Sequence, residues 1–203
     1  MREYSIDKFT SELSSAAPVP GGGGASALMG AVASSLCSMV ANLTTGKKKY
    51  AEYQADIDRI LARTAELTDE ISSLIEKDAE AFEPLSKAYS IPKDEPGRDE
   101  ILENALRVAS DAPFEIVAKC EEVADIVEEL SVKGSRLAIS DVGVAASALR
   151  AAVNGASMNV YINTKLMKDR EYAAKMNEKT DAIVASVTSK CDKAFELVLG
   201  GLK

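Results

Sequence analysis

The sequence predicts an all-α protein, an antiparallel bundle of about five long helices that forms a single domain over residues 1–203. Aliphatic and small residues dominate, whereas Trp is absent and only four Phe and six Tyr occur. This composition suits close-packed helices better than aromatic strands. Apolar residues recur at steps of three and four, the period of a helix face, and no alternation of short strands with helices is visible.

The first predicted elements are a short helix, a loop and a central helix. Ser5 to Leu13 reads as a short helix with Ser5 as its cap, and the run Pro18 to Gly24 predicts a loop with no helix before about Ala25. From there to about Thr44, small residues occupy nearly every face, so neighbouring helices or a second subunit could approach closely. No charge occurs from Leu13 to Gly46, but prolines and glycines interrupt this run, and we expect a buried helix rather than a membrane span.

A long amphipathic helix is predicted after Gly46, which is expected to end the central helix. Lys47, Lys48 and Lys49 follow directly, where positive charge compensates the helix dipole. The apolar seam of the long helix recurs at alternating steps of four and three, and Asp78 falls on it. The seam consists of Tyr53, Ile57, Ile60, Thr64, Leu67, Ile71, Leu74, Asp78, Ala81 and Leu85.

The remaining elements follow from Pro, Gly and the apolar period. Residues 90–97 end the long helix, and another is predicted from Arg98 until Pro113 interrupts it. With Asp111 as its cap, a further helix is predicted to run to about Leu130. A second small-residue central helix follows Gly134, and a charged amphipathic helix covers residues 169–202, ending at Gly200 and Gly201.

Charge and cysteine usage narrow the functional classes. The formal net charge of −8 argues against a nucleic-acid partner, because phosphate binding depends on clustered Lys and Arg. The three cysteines form no CxxC pair, which fits reduced thiols, and Cys37 is expected to be a small buried hydrophobe. The start MREYSIDKFTSEL is charged where an export signal is apolar, so a cytoplasmic protein is expected.

The absence of His restricts the chemistry. Ser-His-Asp triads, Cys-His pairs and the common His-based zinc sites are excluded. General acid/base catalysis must then fall to carboxylates, Lys, Tyr or Cys, and catalysis without a metal is the simpler expectation.

Asp78 is the most informative residue, because an ionised, buried and unpaired carboxylate costs several kcal/mol in order of magnitude. One interpretation is an ion pair or cap across the bundle, with Arg136 or Arg150 as its partner. The other is a carboxyl with a raised pKa that exchanges protons near neutral pH.

Two further groups are candidate binding residues. Gly21, Gly22, Gly23 and Gly24, with Ser26, precede a helix N-terminus that could hold an anion or a flat ligand, although the run could equally be a flexible turn. A polar series interrupts the second central helix, and we expect two of its amides, Asn154 and Asn163, to lie nearly on one face. These amides could form interhelical hydrogen bonds or recognise a heterocycle. The series comprises Ser140, Asp141, Asn154, Asn159 and Asn163.

Five segments, PVPGGGGASAL, GKKKY, KDAEAF, SDVGVAASAL and MNVYIN, together resemble the cyclodeaminase/cyclohydrolase family of folate enzymes, in the same order and over almost the whole chain. The resemblance implies a dimeric helical bundle with a folate site in a cleft lined by the glycine-rich loop. It also implies a catalytic Asp, which falls on Asp78. The family loop is usually PxPGGGS, whereas here a fourth glycine and Ala25 precede Ser26.

The implied activity is that of a methenyltetrahydrofolate cyclohydrolase, in which water opens the 5,10-methenyl bridge to give 10-formyltetrahydrofolate. Formimidoyltetrahydrofolate cyclodeaminase is the alternative, and the chain carries no formiminotransferase half that would favour it. No cofactor beyond the tetrahydrofolate substrate is expected, and Lys47 and Lys48 could contact its glutamate tail. A non-catalytic helical folate-binding or adaptor protein is the alternative from a different class.

Overall fold

The computed structural model describes residues 1–203 and consists of α-helices without a β-strand. Five helices are long and one is short, so the predicted all-α bundle is confirmed. The helices are α1 (Ile6–Leu13), α2 (Gly21–Asn42), α3 (Gln54–Tyr89), α4 (Arg98–Lys133), α5 (Ile139–Leu166) and α6 (Arg170–Leu202), with short 3₁₀ turns at Lys48–Tyr53 and Arg136–Ala138.

Helices α2 and α5 form the centre of the bundle because small residues let them pack closely. A Cβ added to Gly155 of α5 would overlap the Ser26 hydroxyl of α2, and a Cβ on Gly30 would lie 3.7 Å from the Ala152 Cβ. Helix α3 packs on the other side of α2, and α4 and α6 complete the bundle around α5. This contact places the N-terminus of α2 beside the C-terminal half of α5.

The core is aliphatic and contains all three thiols. The α3 seam is buried from Ile57 through Leu74. Cys37, Cys120 and Cys191 are free and buried, and burial raises the pKa of each thiol to about 12. These cysteines therefore act as small hydrophobic core residues, as expected for Cys37.

Two segments are long and apolar enough to cross a membrane by length and composition alone. They are Gly21–Asn42 and Arg136–Leu166, and 56% and 50% of their most apolar windows are buried inside the bundle. The central packing of α2 and α5 accounts for this hydropathy, because core helices have the same composition.

Pro113 does not end a helix, so the predicted break there is wrong. Helix α4 is continuous over 36 residues, and Asp111 lies in its middle instead of capping a new helix. A proline lacks the N–H that would bond the carbonyl four residues earlier, here Ala109. The Asn163 Nδ2 of α5 donates a hydrogen bond to that carbonyl at 2.9 Å, which replaces the missing donor.

The glycine run is helical, so the prediction of a loop up to Ala25 is also wrong. Helix α2 begins at Gly21, and Gly23 and Gly24 are buried in its first turn. A Cβ on Gly24 would lie 2.8 Å from the Pro20 Cβ, so this glycine serves close packing rather than flexibility. At the other end of the chain, α6 continues through Gly200 and Gly201 to Leu202.

Candidate active site

A cleft opens where the N-terminus of α2 meets the C-terminal part of α3, the middle of α4 and the C-terminal half of α5. The cleft and its mouth occupy about 500 Å³. Four elements therefore contribute side chains to one space. The lining residues are Pro18, Val19, Pro20, Gly21, Gly22, Gly23, Asp78, Phe82, Ala109, Pro113, Asn159, Ile162 and Asn163.

Asp78 is the only acidic residue that lines this cleft. Its side chain is half-buried and forms no hydrogen bond or ion pair within the chain. Burial raises the pKa of its carboxyl to about 6. The interpretation of Asp78 as one half of an ion pair is therefore wrong, and Arg150, one of its two suggested partners, pairs with Asp192 instead.

Gly23 packs directly against the Asp78 carboxyl. A Cβ at position 23 would overlap both carboxylate oxygens, so no other residue type fits here without moving Asp78. The first N–H groups of a helix have no partner within the helix, and at α2 they belong to the glycines that line the cleft. The site therefore combines backbone donors with a carboxyl whose pKa is raised.

Two amides form the opposite wall. Asn159 Nδ2 donates to the Gly155 carbonyl at 2.8 Å, and Asn163 Nδ2 donates to the Ala109 carbonyl at 2.9 Å. Asn154 is exposed and lies outside the cleft, so its expected placement on the face of Asn163 is wrong. Nine residues correspond to about two and a half helical turns, which puts these two side chains on opposite faces.

The other predicted binding residues lie away from the cleft. Ser26 Oγ donates to the Gly22 carbonyl at 2.7 Å within α2, and Lys47 Nζ donates to Ser135 Oγ at 3.2 Å. The structure thus places Lys47, Lys48, Ser140 and Asp141 at the far end of α2, whose 22 residues span about 33 Å. Within one chain, none of these four residues lies near Asp78.

The cleft also contains residues that the sequence analysis did not select. Phe82 follows Asp78 by one helical turn, so the helical period could have identified it. Ala109, Pro113 and Ile162 come from α4 and α5, whose arrangement around Asp78 depends on tertiary packing. Pro113 is conspicuous in the sequence, but a proline within an apolar helical pattern predicts a helix break and not a binding site.

Wider surface clefts lie elsewhere but contain no comparable group. The cleft between α5 and α6 is lined by Arg150 and Asp192, which pair with each other, and by Cys191, whose pKa is raised to about 12. No group of three or more His, Cys, Asp or Glu residues is arranged to hold a metal ion. The Asp78 cleft is therefore the candidate active site.

Comparison with known proteins identifies relatives along nearly the whole chain. The family model described as formiminotransferase-cyclodeaminase matches residues 5–182. A methenyltetrahydrofolate cyclohydrolase of Methylorubrum extorquens is 37% identical over 197 residues, which are 95% of each chain. A formimidoyltransferase-cyclodeaminase of Mus musculus is 30% identical over 99% of this chain but only 37% of its own length.

A solved structure has the same fold. The formiminotetrahydrofolate cyclodeaminase of Thermotoga maritima superposes with a TM-score of 0.85 at 30% identity, over 97% of this chain and 98% of that one. The helical fold is thus shared with a protein of similar length.

Proposed function

Because this chain belongs to the formiminotransferase-cyclodeaminase family, we propose that it is a methenyltetrahydrofolate cyclohydrolase with Asp78 as its general acid/base. The observation that carries the proposal is the half-buried Asp78, whose carboxyl has no partner and a pKa of about 6. The relative that is 37% identical over nearly its full length is named a cyclohydrolase, which favours this activity over ring closure.

In the first step, water attacks the methenyl carbon between N5 and N10 of the folate. Ionised Asp78 removes a proton from the attacking water, and a neutral tetrahedral carbinolamine forms. The carboxyl then releases this proton to solvent, which is efficient because its pKa lies close to physiological pH.

In the second step, the bond between the carbon and N5 breaks. Asp78 takes the proton from the carbinolamine hydroxyl and delivers it to N5, while the new C=O remains on N10 as the formyl group. One carboxyl thus serves both steps, and these two reaction steps require no metal or cofactor beyond the folate itself. Acid/base catalysis of this kind contributes roughly 10²–10⁴-fold to the rate.

The substrate ring would lie between the glycines of α2 and the amides of α5. Gly22 and Gly23 let a flat ring approach the backbone, and Asn159 and Asn163 offer amide groups to its polar edge. Lys47 and Lys48 do not border this cleft within one chain, so their contact with the glutamate tail stays a prediction that would require a second subunit.

We also propose that the protein is a cytoplasmic homodimer. Apolar side chains are exposed on the outer sides of α2 and α5, and an exposed apolar surface of this kind favours an interface. Ile162 belongs to this surface and also lines the cleft, so a partner there would border the site. The exposed residues are Leu28, Val32 and Met39 on α2 and Val144, Met158 and Ile162 on α5.

The test follows the absorbance of 5,10-methenyltetrahydrofolate with purified protein, beside a parallel assay that supplies 5-formiminotetrahydrofolate. A loss of methenyl absorbance well above the buffer rate, abolished in Asp78→Asn, supports the cyclohydrolase. A gain of methenyl absorbance with release of ammonia would instead identify a cyclodeaminase, the activity named for the solved relative. A folded protein that is inactive in both assays would favour a non-catalytic folate-binding or adaptor bundle.

A further inference from the structure

Two prolines lie inside long helices, and their surroundings differ. Pro84 in α3 is exposed. The carbonyl that loses its helical donor belongs to Glu80, which is also exposed, so water can donate a hydrogen bond to this carbonyl. Pro113 in α4 is buried, and its counterpart carbonyl on Ala109 receives the Asn163 Nδ2 hydrogen bond at 2.9 Å. Pro113 thus creates a docking point for one particular amide.

This bond leaves the other end of the amide unpaired. Asn163 is only 9% exposed, and its Oδ1 accepts no hydrogen bond within the chain. Every buried side-chain oxygen or nitrogen that is shielded from solvent does have a partner, so Asn163 Oδ1 must reach solvent. The opening that Asn163 lines is the Asp78 cleft, and the amide oxygen is therefore an acceptor available to a ligand.

We propose that Pro113 is a positioning residue that fixes Asn163, so that Asn163 Oδ1 accepts a hydrogen bond from a ring N–H of the bound tetrahydropterin. This inference rests on the proposed function, because it names the part of the folate that the amide recognises. A tetrahydropterin presents several N–H donors along its pyrimidine edge, and no Lys or Arg lines the cleft to compete for the amide oxygen.

An N–H restored at position 113 would bond the Ala109 carbonyl along the helix and compete with Asn163, so the amide would be held less firmly. The test compares Pro113→Ala with Pro84→Ala, the matched control that also restores an N–H within a long helix but lies outside the cleft. Steady-state kinetics on 5,10-methenyltetrahydrofolate give KM and kcat for each variant. Thermal unfolding measures the coupling between positions 113 and 163. It is recorded for the two proline variants, for Asn163→Ala and for the double variant Pro113→Ala/Asn163→Ala.

We expect Pro113→Ala to raise KM about five- to tenfold, the loss of one hydrogen bond, with kcat changed by less than about twofold. Pro84→Ala should leave both constants unchanged. Asn163→Ala should lower the melting temperature of the wild-type protein, and lower it less in the Pro113→Ala background, where the Ala109 carbonyl already has a donor.

Either of two results would overturn the inference. An equal effect of Asn163→Ala in both backgrounds would show that Pro113 does not position the amide. A KM for Pro113→Ala no higher than that for Pro84→Ala would show that the amide does not recognise the ring. If the wild-type protein neither turns over nor binds folates, the proposed function and this recognition fail together, while the unfolding cycle still decides whether Pro113 holds Asn163.

Discussion

Two of the carboxyl groups on helix α3, those of Glu70 and Asp78, lie about two turns apart and have opposite environments. Glu70 lies in a surface network in which Arg63 and Lys119 contact it at 3.0 and 2.8 Å, and these cations lower its pKa to about 2. Asp78 lies in the cleft without a cation, and burial raises its pKa to about 6. The helix therefore presents one carboxyl that is ionised well below neutral pH and one whose pKa lies close to neutral pH.

The comparison separates an acidic residue that forms ion pairs from one whose carboxyl remains available for proton transfer. An ion pair lowers the free energy of the charged state and removes the group from proton transfer near neutral pH. A carboxyl that is half-buried without a partner is unfavourable for stability, and such positions cluster at functional sites. The predictions below test this contrast between Glu70 and Asp78.

The largest expected effect is that of Asp78→Asn on turnover. The amide keeps the shape of the side chain but cannot exchange a proton, so kcat should fall about 10³-fold. Glu70→Gln is the control on the same helix and should retain kcat within about twofold, because Glu70 lies outside the cleft. A loss of activity in Glu70→Gln comparable to that in Asp78→Asn would remove the distinction between the two carboxyls.

The next largest effect is expected from Gly23→Ala. The added methyl group overlaps the Asp78 carboxyl and must displace it, and a shift of about 1 Å in a reacting group can cost about 10²-fold in rate. Gly22→Ala is the control for kcat alone: its methyl group also narrows the cleft and should raise KM, but it would lie 3.4 Å from Asn159 Nδ2 and would not touch Asp78. Similar kcat values for the two variants, both folded by circular dichroism, would contradict the role of Gly23.

The sequence predicts the helices better than it predicts the site. Asp78 could be selected from a single sequence because it falls on an apolar seam, where an unpaired carboxylate is energetically unfavourable. The glycines could be selected as well, but their structure was predicted wrongly. Local propensity disfavours a helix of four glycines, and the close contacts that require glycine at positions 23 and 24, with Asp78 and Pro20, arise only in the folded structure.

The same limit applies to the amides and to Pro113. A proline predicts a helix break from local sterics, yet the donor that satisfies Ala109 comes from a residue 54 positions later. Lys47 and Ser140 could not be excluded from the site by sequence, because Lys47 follows one small-residue helix and Ser140 lies at the start of the other, and the sequence alone does not give the relative orientation of the two helices. Only the packing of α2 against α5 separates the cleft from the opposite end of the bundle.

The pH dependence of the rate should report the raised pKa. If ionised Asp78 removes the proton from water, kcat/KM should rise about tenfold per pH unit below about pH 6 and level off above it. Initial rates from pH 4.5 to 8, corrected for the buffer reaction, measure this rise of kcat/KM with pH. A profile that is flat down to pH 4.5, where a carboxyl with an ordinary pKa is still mostly ionised, would show that burial does not tune Asp78.

The smallest expected effects are on stability, and they have opposite signs. The folded-state pKa of Asp78 lies above its ordinary value of 3.8, so the folded state binds more protons between pH 3.8 and about 6, and its stability falls as the pH rises through this range. Asp78→Asn removes this cost and should stabilise the protein by ~1–3 kcal/mol at pH 7 to 8. The gain should shrink as the pH is lowered towards 4.

Glu70 should behave in the opposite way, because its folded-state pKa lies below the ordinary value of 4.5. Its contribution is fully present above about pH 4.5 and is lost as the pH falls through about 2. Glu70→Gln should therefore destabilise the protein at pH 7, by no more than about 1 kcal/mol because the network is partly exposed. Urea unfolding of both variants at pH 4, 5.5 and 7.5 measures the two trends. Destabilisation by Asp78→Asn at pH 7.5 would mean that Asp78 has a stabilising partner in solution, and its assignment as the proton-exchanging group would then lose its physical basis.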